Sequence, residues 1–421
     1  MANIKKQLKF DDVRMRGFKK RSTVNVVLEW LEQQGGKLSS QVISLHQANG
    51  RMLALDVVSQ VNIPGFPRSM MDGYALIAAD TQGASAYNQL PLQVVGKSLP
   101  GQGANVKVRT GTAVKIMTGA PIPDGANAVL PVEKVEVDGD SIFVMENVAE
   151  GRNIARIGED ISKGQTILHR NRILRPQDIG LLASIGLDKV SVIRQPQVRI
   201  VATGNELLSA GNNPDDYRIV NSNGPMLEAL AIRDGGHVVS SKIVADDEQS
   251  IREALLEDCD ILMISGGTSV GEEDLVPLLL AEEGELVFHG VAMRPSRSAG
   301  VGVIGSKLIF LIPGNPVACL CAYDFFSGRY LRKLAGKNTE WPYISVLRKL
   351  DKKLVSMVGR TDYVRVRLLS DNKVEPLAIS GAGILSSTTE ADGFAVVPDD
   401  SEGYEQDTEI EVFLYDQNGV A

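Results

Sequence analysis

Between residues 196 and 331 the chain alternates short apolar runs with amphipathic segments, and this rhythm constrains the fold more than any other feature. Runs at 198–202, 237–244, 260–265 and 307–312 read as strands; 225–233, 248–257, 273–281 and 316–331 read as helices. Such alternation specifies a parallel, doubly wound sheet with helices on its faces. Three runs end in turn-rich loops: Thr203-Gly204-Asn205-Glu206, Gly266-Gly267-Thr268-Ser269-Val270-Gly271 and Pro313-Gly314-Asn315-Pro316. In open α/β sheets ligands bind beyond the carboxyl ends of the strands. Glycine lets backbone N–H groups approach an oxyanion, and a helix start adds positive potential. A phosphate-bearing ligand is the natural occupant; loops that merely turn the chain are the alternative. No P-loop signature and no strand-following G-x-G-x-x-G is present, so ATPase and nicotinamide dehydrogenase readings lose their support.

Acids fall near the same loops: Glu206, Asp246, Asp247, Glu272, Glu273 and Asp274. Carboxylates beside a phosphate site point to Mg²⁺, which one or two carboxylates hold together with phosphate oxygens. Taken singly, each acid reads as a solvated surface charge. Two arginines, Arg294 and Arg297, stand in the loop Met293-Arg294-Pro295-Ser296-Arg297-Ser298, either as a bidentate oxyanion grip or as plain surface charge. The four histidines, His46, His169, His237 and His289, form no cluster in the sequence, so a histidine zinc site or catalytic triad has no support.

The flanks read differently. Residues 23–34 form an amphipathic helix, with Val24, Val27, Leu28 and Leu31 on one face and Gly35-Gly36 as its stop. Short β runs follow at 92–95, 106–108, 113–117 and 129–137, and Asp138-Gly139 turns the chain into a run at 142–145. Residues 176–185 read as helix with a proline in the first turn. From 340 onward the pattern is β again, at 363–367, 394–397 and 409–414. Two turn-rich stretches, PGFPRSMMDGYA at 64–75 and IMTGAPIP at 116–123, demand a specific backbone path but no particular chemistry.

Composition closes off several functions. Of 421 residues, 44 are Lys or Arg against 52 Asp or Glu, a net charge of −8 that argues against nucleic-acid binding. The basic run before residue 22 reads as a solvated arm. Cys259, Cys319 and Cys321 fit no zinc spacing and read as reduced, packed thiols. No secretory signal and no stretch long enough to span a bilayer is visible, so a cytoplasmic protein without membrane association is expected.

In order and spacing, PRSMMDGYA (67–75), IMTGAPIPDGANAV (116–129), GEDI (158–161), TGNEL (203–207), NSN (221–223), DILMISGGTSVGEEDLV (260–276) and LIPGNPVA (311–318) resemble the MoeA type of molybdopterin molybdenumtransferase, the family of the gephyrin E domain. The resemblance implies a multidomain α/β plus β architecture. A linking domain would comprise 1–65 and 161–190, an inserted β domain 66–160, a central doubly wound α/β domain 191–337 and a β-barrel-like domain 338–421. It implies Mg²⁺-dependent reaction of molybdate with adenylylated molybdopterin, giving molybdenum cofactor and AMP. It implies a homodimer whose sites form between the α/β domain of one subunit and the β domain of its partner. The chain would act after a molybdopterin adenylyltransferase and before molybdoenzymes or their chaperones. By motif, Asp72, Thr118 and Asp160 belong to the β-domain face, and Glu206 and Asp246 to the metal and phosphates. Asp274 and Glu206 become the Mg²⁺ ligands. Thr203, Gly204, Ser222, Gly266, Gly267, Thr268, Ser269, Gly271, Pro313, Gly314, Asn315 and Pro316 become the ligand cradle, and Arg294 and Arg297 the oxyanion grip. The family's basic loop reads K-P-G-K-P; here 294–298 read R-P-S-R-S, which keeps the charge but changes the geometry. A paralogue with altered oxyanion preference, such as tungstate, or a non-catalytic scaffold of the same fold are the competing implications.

Overall fold

The structure, a computed structural model, describes residues 21–416 except 37, 104, 216, 269–273, 379 and 380. The chain falls into two units, one comprising 42–49 and 53–191, the other everything up to 41, 50–52 and everything from 192.

The first unit centres on six strands: β1 (Gly73–Leu76), β2 (Leu90–Ser98), β3 (Thr112–Ile116), β4 (Ala128–Pro131), β5 (Val135–Asp138) and β6 (Ser141–Val144). They lie in the order β4-β1-β3-β2-β6-β5. The Asp138-Gly139 turn makes the β5–β6 hairpin expected from the sequence, with Gly139 at φ +57°. Two expectations fail here. Residues 106–108 form no strand; Val108 N–H instead donates to Asp124 O at 2.8 Å in a loop. The 129–137 run is broken by a 3₁₀ turn at Val132–Lys134, directly after Pro131. Tyr74, Leu76, Leu92, Leu130, Ile142 and Val144 form the core. The helix Pro176–Ser184 packs elsewhere in this unit, with Pro at its first position as expected.

The second unit opens with the helix Val24–Gln33, whose N-cap Thr23 accepts from Val26 N–H. Its main sheet comprises β7 (Gln197–Thr203), β8 (His237–Val244), β9 (Ile261–Ser265), β10 (Glu285–His289), β12 (Gly300–Ile304) and β13 (Lys307–Ile312). The order is β8-β7-β9-β13-β12-β10. The pairs β7–β8, β7–β9 and β9–β13 are parallel, as expected. The sheet is not parallel throughout: β12 runs antiparallel to both β10 and β13. The two residues between β12 and β13, Gly305 (φ +63°) and Ser306, leave no room for a crossover helix, so the pair must be a hairpin. Strands buried on both faces separate two cores. Val198, Ile200, Ile261, Met263, Leu308 and Phe310 face one helical layer; Val201, Leu262, Ile264, Ile309 and Leu311 face the other. Cys259, Cys319 and Cys321 are free and buried, as expected.

The helix after β13 is longer than its sequence suggests and irregular. Pro316–Ala322 passes through a π-helical turn, Tyr323–Ser327, into Gly328–Leu334. A Cβ at Gly328 would lie 2.5 Å from the Tyr323 ring, so glycine there lets the ring fold back over the bulge. The bulge carries Asp324 into the interior, where Tyr343 OH donates to its Oδ1 at 2.9 Å.

Beyond it, β14 (Ile344–Leu350), β15 (Thr361–Leu368), β16 (Lys373–Ala378), β17 (Gly393–Val397) and β18 (Glu409–Leu414) close a barrel in the order β15-β16-β14-β18-β17-β15. Val364, Val366, Ala395, Val397 and Val412 fill it. Trp341 joins barrel and helical layer, with ring centroids 5.1 Å from Phe325 and 4.6 Å from Phe413. A two-residue strand, β11 (Met293–Arg294), docks parallel on β15, setting Arg294 opposite Asp362.

Candidate functional site

Strand order in the main sheet reverses at β7: the chain leaves β7 for β8 on one side and then crosses to β9 on the other. Such a switch point opens a crevice at the carboxyl ends. A cavity of about 790 Å³ lies there. Thr203, Glu206, Ser222, Asp246, Gly266, Gly267, Thr268, Asp274, Pro313, Gly314, Asn315 and Pro316 all line it. The three loops expected to converge do so. Gly204 is in the turn after β7 but is not among the lining residues, and Ser269 and Gly271 lie outside the described residues.

The cradle is cross-tied by close backbone packing and hydrogen bonds. Gly266 has φ +97°, and a Cβ there would sit 2.4 Å from Thr203 O. Glycine is therefore demanded by both conformation and space. Asn223 Nδ2 donates to Ser265 Oγ (2.8 Å) and to Gly314 O (2.7 Å), tying the β9 and β13 loops to a helix start. His289 Nε2 lies 3.0 Å from Thr268 O; a carbonyl only accepts, so the proton is on Nε2.

Burial pushes the Asp246 carboxyl above its ordinary range, and the negative charges of Glu206 and Asp274 add to this. The Thr203 hydroxyl and the Asn205 amide oppose the shift. Thr203 Oγ1 and Asp246 Oδ1 are nevertheless buried without a well-formed hydrogen bond. Orphaned oxygens beside two further carboxylates are the donor set a hard cation takes. Among the described residues no three such side chains converge closely enough to hold a metal by themselves. These residues fit a Mg²⁺ held jointly with ligand phosphates, not a closed protein site.

A second cavity, about 550 Å³, adjoins the first and shares Ser298, Pro313 and Asn315 with it. Arg21, Arg294, Arg297 and Arg360 line it, and no carboxylate is among the described lining residues. Arg294 and Arg297 thus line a cleft beside the α/β crevice. Arg21 and Arg360 were not anticipated. Arg21 is the last residue of the basic run read as a solvated arm. Arg360 precedes a strand, Thr361–Leu368, whose buried Asp362 and Arg365 break its apolar pattern; that break was the available signal. Ser296, at φ +83°, donates to Ala318 O, and this buried contact fixes the loop between the arginines.

In the other unit, Thr118, Gly119, Glu159 and Asp160 line a cavity of about 590 Å³ with Arg68 and Met70. Asp72 precedes β1, and its carboxylate holds Thr118. The three residues singled out in this unit are brought together.

This arrangement defines a class of protein with a glycine-loop α/β crevice abutting an arginine-lined cleft. Comparison with known proteins fixes the class. Three family models match in succession: the MoeA N-terminal region (domain I and II) at 21–186, the "Probable molybdopterin binding domain" at 199–333 and the MoeA C-terminal region (domain IV) at 348–415. The chain is 30% identical over 405 residues to the molybdopterin molybdenumtransferase of Staphylococcus aureus, covering 94% of this chain and 96% of that one. It is 35% identical over 337 residues to molybdopterin molybdenumtransferase 2 of Mycobacterium tuberculosis, covering 77% and 82%. The crystal structure of the molybdopterin biosynthesis MoeA protein of Pyrococcus horikoshii OT3 superposes with TM-score 0.75 at 33% identity, over 94% of this chain and all of that one. The chain belongs to the MoeA family of molybdenum cofactor biosynthesis proteins.

Proposed function

We propose that the protein is a molybdopterin molybdenumtransferase that reacts molybdate with adenylylated molybdopterin and releases AMP. The observation that carries this reading is the pair of adjoining cavities. One offers glycine-loop amides and carboxylates to a diphosphate; the other offers four arginines and, among the described residues, no carboxylate to an oxyanion.

The roles follow from position. The 266–268 and 313–316 loops bind the phosphates through backbone amides. Asp274 and Glu206, with Asp246 behind them, are the residues that would hold Mg²⁺; when bound, the ion neutralises charge on the phosphoryl oxygens. Arg294 and Arg297, with Arg21 and Arg360, hold molybdate and offset its repulsion from the diphosphate. No side-chain nucleophile is required, because a molybdate oxygen or water attacks the phosphoanhydride.

The finer assignments belong to the same proposal. The chain divides as 1–65 with 161–190, 66–160, 191–337 and 338–421. It works as a homodimer in which Asp72, Thr118 and Asp160 of one copy serve the crevice of the other. It receives substrate from a molybdopterin adenylyltransferase and passes product to molybdoenzymes or their chaperones in the cytoplasm. Family membership supports this, and no described helix is long and apolar enough to cross a membrane.

The test is AMP release from adenylylated molybdopterin with Mg²⁺ and molybdate, with tungstate as competitor. Arg294→Ala and Arg297→Ala should each raise the half-saturating molybdate concentration more than the corresponding Lys variants, because lysine keeps charge but loses the fork. No AMP release from the wild type would sink the reading. Tighter use of tungstate would mark an altered paralogue. Mixing inactive Asp72→Ala and Asp274→Ala chains should restore activity; heterodimers without activity would exclude the shared site.

A further inference from the structure

We infer that Asp362 is the positioning residue for Arg360 in the arginine-lined cleft. This rests on the reading of that cleft as the oxyanion site.

Asp362 itself is fully buried and is not among the residues lining the cleft. Its Oδ1 lies 2.9 Å from Arg360 Nε, and its Oδ2 accepts from Arg360 Nη2 at 3.2 Å. The Nη2–Oδ2 contact is a hydrogen bond and the Nε–Oδ1 contact an ion pair without hydrogen-bond alignment, and together they hold the guanidinium against the buried carboxylate. Ser356 Oγ donates to the same Oδ2 at 2.8 Å, which fixes the carboxylate in turn. The arrangement is a chain of command: Ser356 orients Asp362, Asp362 orients Arg360, and Arg360 lines the cleft.

The backbone makes the placement specific. Arg294 pairs with Asp362 in the β11–β15 register, and Thr361 N–H donates to Ala292 O at 2.9 Å. The strand that carries Asp362 is therefore the strand that anchors the loop of Arg294 and Arg297. The other three arginines of the cleft have no carboxylate partner among the described residues. Arg360 alone is tethered in this way. A tethered arginine retains its orientation when the cleft is empty, so the grip on an incoming anion is preorganised there.

Molybdate binding by the full-length protein, read by calorimetry without substrate turnover, tests this, with AMP binding at the neighbouring crevice as the control. Arg360→Ala should weaken molybdate binding about tenfold or more, and Asp362→Asn should weaken it comparably, on the scale at which supporting residues act. Ser356→Ala should shift it in the same direction by less. AMP binding should hold in all three. In an Arg360→Ala background, Asp362→Asn should add nothing. If Arg360→Ala binds molybdate normally, the oxyanion reading of the cleft fails and the inference with it. If Arg360→Ala weakens binding but Asp362→Asn does not, or if the two effects add, Asp362 does not act through Arg360. Should Asp362→Asn fail to fold, Ser356→Ala decides: unchanged molybdate binding overturns the inference.

Discussion

Thr118 donates both its backbone N–H, at 2.7 Å, and its hydroxyl, at 2.8 Å, to a single oxygen of Asp72. The residues are 46 apart in sequence, and the antiparallel register of β1 and β3, with Gly73 opposite Ile116, brings them together. Both donors stabilise the charged form, so the Asp72 carboxyl titrates below its ordinary value although it is exposed.

Replacing Thr118 by Val should move that titration only part of the way back, because the amide bond survives. A depressed carboxyl contributes stability that is present above its unfolded pKa and disappears as pH falls through the folded one. The variant should therefore lose the hydroxyl's share of stability at neutral pH, and the difference between the two proteins should vanish in acid, below the folded pKa. Carboxyl-detected NMR titration of wild type and variant measures it; identical curves would show that the hydroxyl contributes nothing.

Two glycines of the crevice should respond oppositely to alanine. Gly266→Ala combines a left-handed φ with a 2.4 Å approach to Thr203 O, and should cost about 1–3 kcal/mol of stability. At Gly314 the nearest atom to a new Cβ is Gly266 Cα at 3.7 Å, an ordinary contact. Gly314→Ala should therefore stay within ~0.5 kcal/mol of wild type while weakening nucleotide binding, since the methyl enters the cavity. Urea unfolding and AMP binding separate the two; full affinity in Gly314→Ala would mean that no ligand approaches that backbone.

Asp274→Asn should raise the Mg²⁺ concentration needed for half-maximal AMP release about tenfold or more. Asp246→Asn should cost activity and yet stabilise the fold by about 0.5 kcal/mol, as removal of a functional strain does. The sign follows from its raised pKa: the native state disfavours the carboxylate, so stability is lost as pH rises through the folded value. An Asp246→Asn protein less stable than wild type at neutral pH would contradict this.

Asp324 supplies a sharper pH signature. Burial pushes its carboxyl up to about 7 from 3.8, against the opposing charge of Arg233. Between those values the native state keeps a proton that the unfolded chain releases, so this group's contribution to stability declines as pH rises and is flat above about 7. Asn at 324 does not titrate. The stability of Asp324→Asn relative to wild type should therefore climb from pH 4 to 7 and then level off. Denaturant unfolding at several pH values reads this directly, and a difference that falls with pH would exclude it.

The α/β layers were legible because buried strands and amphipathic helices leave distinct periodicities, and because glycine and proline mark strand ends. The crevice at the strand ends followed from them: Thr203, Gly266 and Pro313 each end or follow a strand, and a parallel sheet aligns those ends. What periodicity could not convey was anything fixed by pairing across long distances. The antiparallel course of β12 depends on a two-residue turn, and the π turn at Tyr323–Ser327 keeps a helical hydrophobic pattern on both sides. The run at 106–108 is apolar enough for a strand but finds only the loop partner Asp124. Arg360 joins Arg294 because β11 docks on β15, and no local pattern announces a two-residue strand. Arg21 was hidden inside a basic run whose usual fate is solvent.

The docking of β11 on the barrel also sets an order of assembly during synthesis. Arg360 leaves the ribosome 66 residues after Arg294, roughly 3–13 s later at bacterial and eukaryotic elongation speeds. By then the crevice loops of β7, β9 and β13 have all emerged. A nascent chain can thus place the three glycine loops of the crevice before Arg360 reaches the arginine-lined cleft, and Gly383 closes the crevice only afterwards. A ribosome that stalls between the two would hold a chain whose three glycine loops are in place and whose cleft has Arg294 and Arg297 without Arg360.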